Sequence, residues 1–252
     1  MREETKLSFE KQNHFTVKIA DCVIRINAPS PRTYIQCRDY IVQEDPDIII
    51  NISEEDALYE IKEGQSLYKN INENYVETLA AFRKIADELS SRGIILMHGA
   101  AIAIGNEAYL FSASSGVGKT THIKKWIEHV NDSYVLNGDK PFIKTVGTEA
   151  LIYGTPWCGK ERMGKNAKAA LKAIVFMERS EDNSIEEISF VDAYPYLLQN
   201  IYQPQDVLQM KAVLKNLSEL NGKIKVFKFY FNNFKEDCFS TAFNALVDVK
   251  TD

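Results

Sequence analysis

Apolar and polar residues alternate over the first fifty positions of the chain, as they do in half-buried β-strands. The segments 15–19 and 23–26 keep this period before prolines at 29 and 31 interrupt it. A further apolar run covers 48–52, and the acidic stretch after it contains a predicted turn at Lys62-Glu63-Gly64. The pattern predicts a β-rich N-terminal segment over about residues 1–70.

At Asn74 the spacing of apolar residues changes from that of a strand to that of a helix. Apolar residues then recur every three or four positions as far as Leu89, and Gly93 ends the helix. An apolar run over 94–104 follows, and Gly105-Asn106 separates it from a second strand over 107–112. Because a two-residue turn between two strands is typical of a hairpin, the chain is predicted to form one here.

Strands and helices alternate in the rest of the chain. Helices are predicted over 121–130, 204–220 and 237–247, strands over 134–136, 171–177 and 224–231, and a hairpin over 142–153. This succession predicts an α/β fold with a mixed sheet. Residues 71–252 would form the main domain, and a single domain overall stays open.

Composition restricts the class of protein. The 252 residues include 45% hydrophobic and 26% charged residues, which is ordinary for a globular chain. No run of eighteen apolar residues occurs and the first residues are highly charged, so we expect a cytoplasmic protein without a membrane span. Four cysteines without metal-ligand spacing argue against zinc and disulfides. The net charge of −5 disfavours nonspecific nucleic-acid binding.

The most informative segment reads ASSGVGKT and covers residues 113–120. It fits the phosphate-binding pattern G-x-x-x-x-G-K-S/T except for Ala113, which matters only if the backbone there needs a positive φ. In such a loop Lys119 reaches the β- and γ-phosphates and Thr120 binds Mg²⁺. The alternative is a turn that caps a helix. The predicted nucleotide-binding residues are Ser114, Ser115, Gly116, Val117, Gly118, Lys119, Thr120 and Thr121.

Asp139 follows the strand after the predicted phosphate-loop helix. Ligands of α/β folds collect at the carboxyl ends of strands, so Asp139 is a candidate general base for a phosphoryl acceptor or a ligand of Mg²⁺. An aspartate between Gly138 and Pro141 could equally be a turn former. Residues 154–172 carry five basic side chains against Glu161, a balance of +4 that suits a phosphorylated ligand. A solvated surface is the alternative for the last three lysines.

Three segments together resemble the HPr kinase/phosphorylase superfamily, whose nucleotide core is related to that of phosphoenolpyruvate carboxykinase. They are MHGAAIAIGNEAYLFSASSGVGKTTH, VLNGDKPFI and IYGTPWCGKERMGKN, and the resemblance is greatest to the shorter kinase-like members. It covers roughly residues 75–190. It implies a kinase fold in which a hairpin leads into the phosphate loop, with ATP and Mg²⁺ as cofactors.

The resemblance also assigns site residues. It implies that His98 lies near the phosphates or the acceptor, although a core histidine is the alternative. Lys160 or Arg162 could hold phosphate, and Glu161 could assist Mg²⁺. Where the family has two adjacent aspartates, this chain has Gly138-Asp139. One carboxylate is therefore missing, and either Asp139 acts alone or activity is weakened.

The favoured function is an ATP- and Mg²⁺-dependent kinase that phosphorylates a hydroxyl of a peptide, a protein or a small molecule. Its catalytic residues would be Asp139, His98, Lys160 and Arg162, and its metal ligands Thr120, Asp139 and Glu161. A nucleotide-binding module with weak or no turnover is the first alternative, and a carboxykinase-type enzyme is the second. The acceptor is not identified, and assembly as a homo-oligomer stays open.

Overall fold

The computed structural model describes residues 14–28, 31–67, 75–114 and 116–247. Contacts divide the chain into two compact units, Met1–Arg92 and Gly93–Asp252. The predicted boundary near residue 70 lies outside the described residues. The helix predicted from Asn74 groups with the N-terminal unit.

The N-terminal unit contains a three-stranded sheet in the order β1 (His14–Ile19), β2 (Cys22–Asn27) and β3 (Ile48–Asn51). Strands β1 and β2 pair antiparallel, and β3 joins β2 in parallel. The unit also contains three helices: α1 (Pro31–Cys37) lies between β2 and β3, and α2 (Glu54–Leu67) and α3 (Val76–Ser91) follow β3. The strands and α3 confirm the predictions from periodicity.

Helix α2 corrects the prediction for the acidic stretch. Residues 62–64 continue the helix and form no turn. Glu54, Glu55 and Asp56 occupy its first turn, where negative charge stabilises the positive end of the helix dipole. The acidic side chains at the beginning of this stretch therefore favour the start of a helix.

The C-terminal unit contains a nine-stranded mixed sheet, which confirms the predicted α/β class. The main order is β4-β8-β9-β10-β6-β5-β7, and β12 pairs with both β10 and β11. The strands are β4 (Ile94–Leu96), β5 (Ala100–Ile104), β6 (Glu107–Ser112), β7 (Ser133–Asn137), β8 (Phe142–Val146), β9 (Glu149–Tyr153), β10 (Lys168–Arg179), β11 (Ser184–Glu187) and β12 (Lys225–Phe231).

Helices cover both faces of this sheet. On one face α5 (Phe190–Asn200) and α6 (Val207–Glu219) bury Leu197 and Leu217. On the other, α4 (Lys119–His129) and α7 (Cys238–Leu246) bury Trp126 and Ala242. None of the helices within the described ranges is long and apolar enough to cross a membrane.

The run over 94–104 was predicted as one strand but forms two. Strand β4 pairs with β8, whereas β5 pairs with β6 and completes the predicted hairpin. Between β4 and β5, at His98-Gly99, the chain passes from one part of the sheet to another. A Cβ on Gly99 would lie 2.9 Å from the Phe111 carbonyl oxygen. Only glycine allows this close approach, and it places His98 at the edge of the sheet.

Strands β6, β7, β10 and β12 of this sheet point the same way, as does β8, since β8 and β10 are both antiparallel to β9. Strands β6 and β12 are both parallel to β10. Strand β5 is antiparallel to both β6 and β7, so β7 runs with β6. The carboxyl ends of β6, β7, β10 and β12 therefore meet at one edge, which is where α/β proteins bind ligands.

Candidate functional site

The loop between β6 and α4 has the glycine geometry expected of a phosphate loop. Gly116 and Gly118 adopt φ values of 78° and 120°, which side-chain-bearing residues rarely tolerate. Ala113 is absent from the residues with positive φ in the described chain, so alanine causes no backbone strain there. The departure from the motif therefore leaves the loop conformation intact.

Lys119 begins α4 and turns back over this loop. Its Nζ donates a hydrogen bond to the Ala113 carbonyl oxygen at 3.1 Å and lies 3.4 Å from His98 Nε2. Burial lowers the pKa of Lys119, and the nearby Asp139 carboxylate opposes that shift. The amino group of Lys119 is thus held against the loop, where a bound phosphate would need a cation.

Asp139 is positioned by a buried asparagine. The side-chain oxygen of Asn137 accepts hydrogen bonds from the backbone N–H groups of Asp139 and Lys140 at 2.9 Å and 2.7 Å. Its amide nitrogen donates to Thr155 Oγ1 at 2.9 Å. This arrangement is the turn expected of an Asn-Gly-Asp sequence, and it fixes the direction of the carboxylate.

His98 joins the lysine and the carboxylate in one cluster. His98 Nε2 lies 3.3 Å from Asp139 Oδ1 and 3.4 Å from Lys119 Nζ. Burial by itself raises the pKa of Asp139, but the His98 hydrogen bond and the charges of Lys140, His98 and Lys119 outweigh it and lower the pKa from its ordinary value. Asp139 is therefore ionised at neutral pH.

The structure brings three of the predicted residues together from separate elements. His98 precedes β5, Lys119 begins α4 and Asp139 follows β7. A cation, an imidazole and a carboxylate then converge beside a glycine loop. This combination can bind a phosphate and accept a proton within a few ångströms.

The loop over residues 154–165 packs against the end of β7. Lys165 N–H donates to the Leu136 carbonyl oxygen at 3.0 Å, and Gly164 bridges to Asn137. A Cβ at position 138 would lie 2.7 Å from the Cys158 carbonyl oxygen and 3.1 Å from that of Met163. Glycine at 138 is therefore what allows this loop to approach Asp139.

The charged residues of this loop lie on the surface. Lys160, Glu161 and Arg162 are exposed, and Arg162 has a φ of 52°. Glu161 forms an ion pair with Lys124 of α4, with Oε2 and Nζ 3.2 Å apart. The loop is thereby tied to the phosphate-loop helix. Contacts of Lys160 and Arg162 with the cluster of His98, Lys119 and Asp139 are not observed in the described chain.

The remaining predicted ligands lie on the open side of the loop. Ser114, Thr120 and Thr121 are exposed, and Ser115 lies outside the described residues. No group of three or more His, Cys, Asp or Glu side chains in the described ranges could hold a metal ion. The oxygen donors Thr120 and Asp139 fit Mg²⁺, which keeps several waters and shares its coordination with substrate phosphates.

Two side chains that hold the loop between β6 and α4 were not predicted. Arg179, at the end of β10, donates to the carbonyl oxygens of Val117 and Gly116, each at 2.8 Å. Asn233, after β12, donates to the Gly118 carbonyl oxygen at 3.2 Å. In the sequence, both residues are visible only as polar residues at or just after the end of a predicted strand. Nothing in their neighbouring residues indicates that they contact the loop.

The position of His98 depends on α5, which was not predicted either. His98 N–H donates to the Asn200 carbonyl oxygen at 2.7 Å. The buried Ser112 hydroxyl lies 2.8 Å from the His98 carbonyl oxygen and 2.9 Å from Asn200 Oδ1. The last residue of β6 and the last residue of α5 thus hold the histidine backbone from two sides.

No protein-family profile and no curated protein matches the chain. Among solved structures, it is similar to the Hpr(Ser) kinase/phosphatase from Coxiella burnetii, with a TM-score of 0.37 and 8% sequence identity. The similarity covers 60% of this chain and 89% of that chain. At this TM-score and identity the similarity shows neither the family nor the function of this chain.

Proposed function

We propose that this protein binds ATP with Mg²⁺ at the loop over residues 113–120 and transfers the γ-phosphoryl group to a hydroxyl. The acceptor would be a peptide, a protein or a small molecule. The convergence of Lys119, His98 and Asp139 beside the glycine loop is the observation that carries the proposal.

Each residue has a distinct part in this mechanism. Lys119 would neutralise charge on the transferring phosphoryl group, and exposed backbone N–H groups of the loop would bind phosphate oxygens. Asp139 would accept the proton of the acceptor hydroxyl as its oxygen attacks phosphorus and the bond to ADP breaks. His98 would orient the carboxylate. Mg²⁺ would be held by Thr120 and would neutralise phosphate charge, which leaves Asp139 free to act as the base.

The lowered pKa of Asp139 limits its strength as a general base. A carboxylate that is ionised at neutral pH is ready to accept a proton, but it is a weak base. Phosphoryl transfer depends mainly on positioning and charge stabilisation, so a weak base suffices. Lys160, Arg162 and Glu161 would contribute only after loop 154–165 rearranges around bound substrate.

Calorimetry on the wild type, Lys119→Ala and Asp139→Asn tests this function. We expect Lys119→Ala to abolish ATP binding because it removes the cation over the loop. Asp139→Asn should keep ATP binding and lower transfer from radiolabelled ATP to a hydroxyl peptide library by about 10² to 10⁴. Lys215→Ala, which changes an exposed lysine of α6, is the matched control.

A nucleotide-binding module is the second candidate, and Gly138 favours it because the first carboxylate of the expected pair is missing. That candidate predicts ATP binding with equal, background transfer in the wild type and Asp139→Asn. Failure of the wild type to bind ATP, ADP or pyrophosphate would reject both candidates.

A further inference from the structure

Phe234 is almost fully exposed, at 99% of its reference surface, in the turn between β12 and α7. Isolated apolar residues on a surface are common. A fully exposed aromatic ring, however, lacks the stabilisation that burial of its large apolar surface would provide. The turn that carries this ring contacts the loop between β6 and α4 through Asn233, and this suggests what covers the ring.

The turn that carries Phe234 is braced by hydrogen bonds. Phe234 N–H donates to Asn232 Oδ1 at 3.0 Å, and Lys235 N–H donates to the Asn232 carbonyl oxygen at 3.1 Å. Asn232 N–H in turn donates to Asn183 Oδ1 at 2.6 Å. Lys235 and Asp182 form an ion pair. The ring is therefore presented to solvent from an ordered backbone.

The next residue along the turn touches the phosphate loop directly. Asn233 Nδ2 donates to the Gly118 carbonyl oxygen at 3.2 Å. Lys125 of α4 donates from Nζ to the Asn233 carbonyl oxygen at 2.9 Å. Phe234 is thus one residue away from two contacts with the loop and its helix.

The sheet order places this turn on the side of the loop away from the reacting groups. Asp139 follows β7, two strands from β6 in one direction, and Phe234 follows β12, two strands from β6 in the other. A bound nucleotide with its γ-phosphate towards Asp139 would extend its ribose and base the opposite way. Two strand spacings are roughly 10 Å, the scale of a nucleoside.

We propose that Phe234 forms a base subsite, on which the purine ring of the bound nucleotide stacks. The proposal rests on the function proposed above and adds the residue that distinguishes a nucleoside triphosphate from a bare polyphosphate. Stacking uses the face of the ring, which every base offers, so this subsite favours nucleotides without selecting adenine over guanine.

Calorimetry with ATP, GTP and tripolyphosphate on the wild type and Phe234→Ala tests the subsite. We expect Phe234→Ala to weaken the binding of ATP and GTP roughly fivefold to hundredfold, the range found for stacking on aromatic residues. Tripolyphosphate affinity should not change because it has no base. Leu208→Ala, at an exposed apolar position of α6, is the control and should match the wild type.

Phe234→Trp supplies an independent readout. The native tryptophans Trp126 and Trp157 are buried, so a tryptophan at 234 should give a solvent-exposed emission that ATP quenches and tripolyphosphate does not. Unchanged ATP affinity in Phe234→Ala would overturn the subsite alone. Equal weakening of ATP and tripolyphosphate would also overturn it and indicate damage to the loop. A wild type that binds none of the three compounds would overturn the proposed function and the subsite together.

Discussion

Gly138 controls how the carboxylate beside it can be used. The space that a side chain at 138 would occupy is filled by the carbonyl oxygens of Cys158 and Met163. Backbone atoms cannot swing aside as the end of a long side chain can. Loop 154–165 therefore packs beside Asp139 in the space that a side chain at 138 would need.

Substitution of Gly138 should lower the stability of the protein and should not raise its phosphotransfer activity. We expect Gly138→Ala to lower the free energy of unfolding by about 1–3 kcal/mol, and Gly138→Asp to lower it further, because added atoms overlap the loop backbone. Urea denaturation measures both. Gly105→Ala is the control, because a Cβ there meets open space and only the φ of 56° is strained.

Phosphotransfer by the same variants completes this test. Because Gly138→Asp should displace the loop, we expect it to lose activity relative to the wild type. A Gly138→Asp protein that is as stable as the wild type and transfers phosphate faster would contradict this interpretation. Such a result would mean that the position had lost a functional carboxylate.

Local sequence was enough to predict the loop and the turn that the structure brings together around Lys119 and Asp139. The glycine loop and the Asn-Gly-Asp turn are each defined by their immediate neighbours. The residues that support them come from elsewhere in the chain. Arg179 contacts a loop residue 63 positions away, and Asn233 contacts one 115 positions away. Without a known topology, no local pattern could connect them.

Among the elements, periodicity predicted most of the strands and the four helices α3, α4, α6 and α7; it missed α1 and α2, and it also missed α5. Pro195 lies inside this helix, and proline is normally read as a helix breaker. The hydrogen bond that it removes would reach Val191, near the start of the helix. Ser189 caps that end by accepting a bond from Asp192 N–H, and Ala193 and Leu197 are buried. Tertiary packing thus outweighs the local signal.

The shape of the phosphate loop depends on a neighbouring strand. Arg179 at the end of β10 holds two loop carbonyl oxygens, and a charged donor to such a group contributes about 1.5–3 kcal/mol. We expect Arg179→Ala to raise the Kd of both ATP and tripolyphosphate by roughly tenfold or more. Calorimetry with the two ligands separates this effect from loss of base stacking.

Two further variants check the geometry of this contact. Arg179→Lys should give an intermediate Kd, because one ammonium group cannot reproduce the two parallel bonds of a guanidinium. Lys172→Ala, on the same strand and paired with Glu107, should bind like the wild type. If Arg179→Ala binds both ligands normally, the loop keeps its shape without the arginine.

At the scale of the whole molecule, each unit contains a group whose protonation differs between the folded and unfolded chain. In the N-terminal unit, burial raises the pKa of Asp56, but hydrogen bonds from Lys84 and Ser53 outweigh it and lower the value to about 2. In the C-terminal unit, burial and the charge of Lys125 lower the pKa of His122 to about 3. The acidic stretch alone did not reveal the Asp56 network, since it forms only when α2 packs on α3.

These two groups predict which unit is more sensitive to mild acid. An unfolded His122 binds a proton near pH 6.5, whereas the folded residue stays neutral until about pH 3. Stability of the C-terminal unit should therefore fall across this window at about 1.4 kcal/mol per pH unit. The contribution of Asp56 is present above pH 3.8 and is lost only as the pH falls towards about 2.

Hydrogen exchange at a series of pH values can follow the two units separately. After correction for intrinsic exchange rates, amides of β6, α4 and β12 should lose protection between pH 6 and pH 4, before those of β2 and α3. His122→Gln, which keeps an acceptor for the Trp126 indole N–H, should flatten this dependence even if it lowers stability overall. His129→Gln on the exposed side of the same helix should keep the wild-type slope. Earlier loss of protection in the N-terminal unit, or a wild-type slope in His122→Gln, would show that another group controls the acid sensitivity.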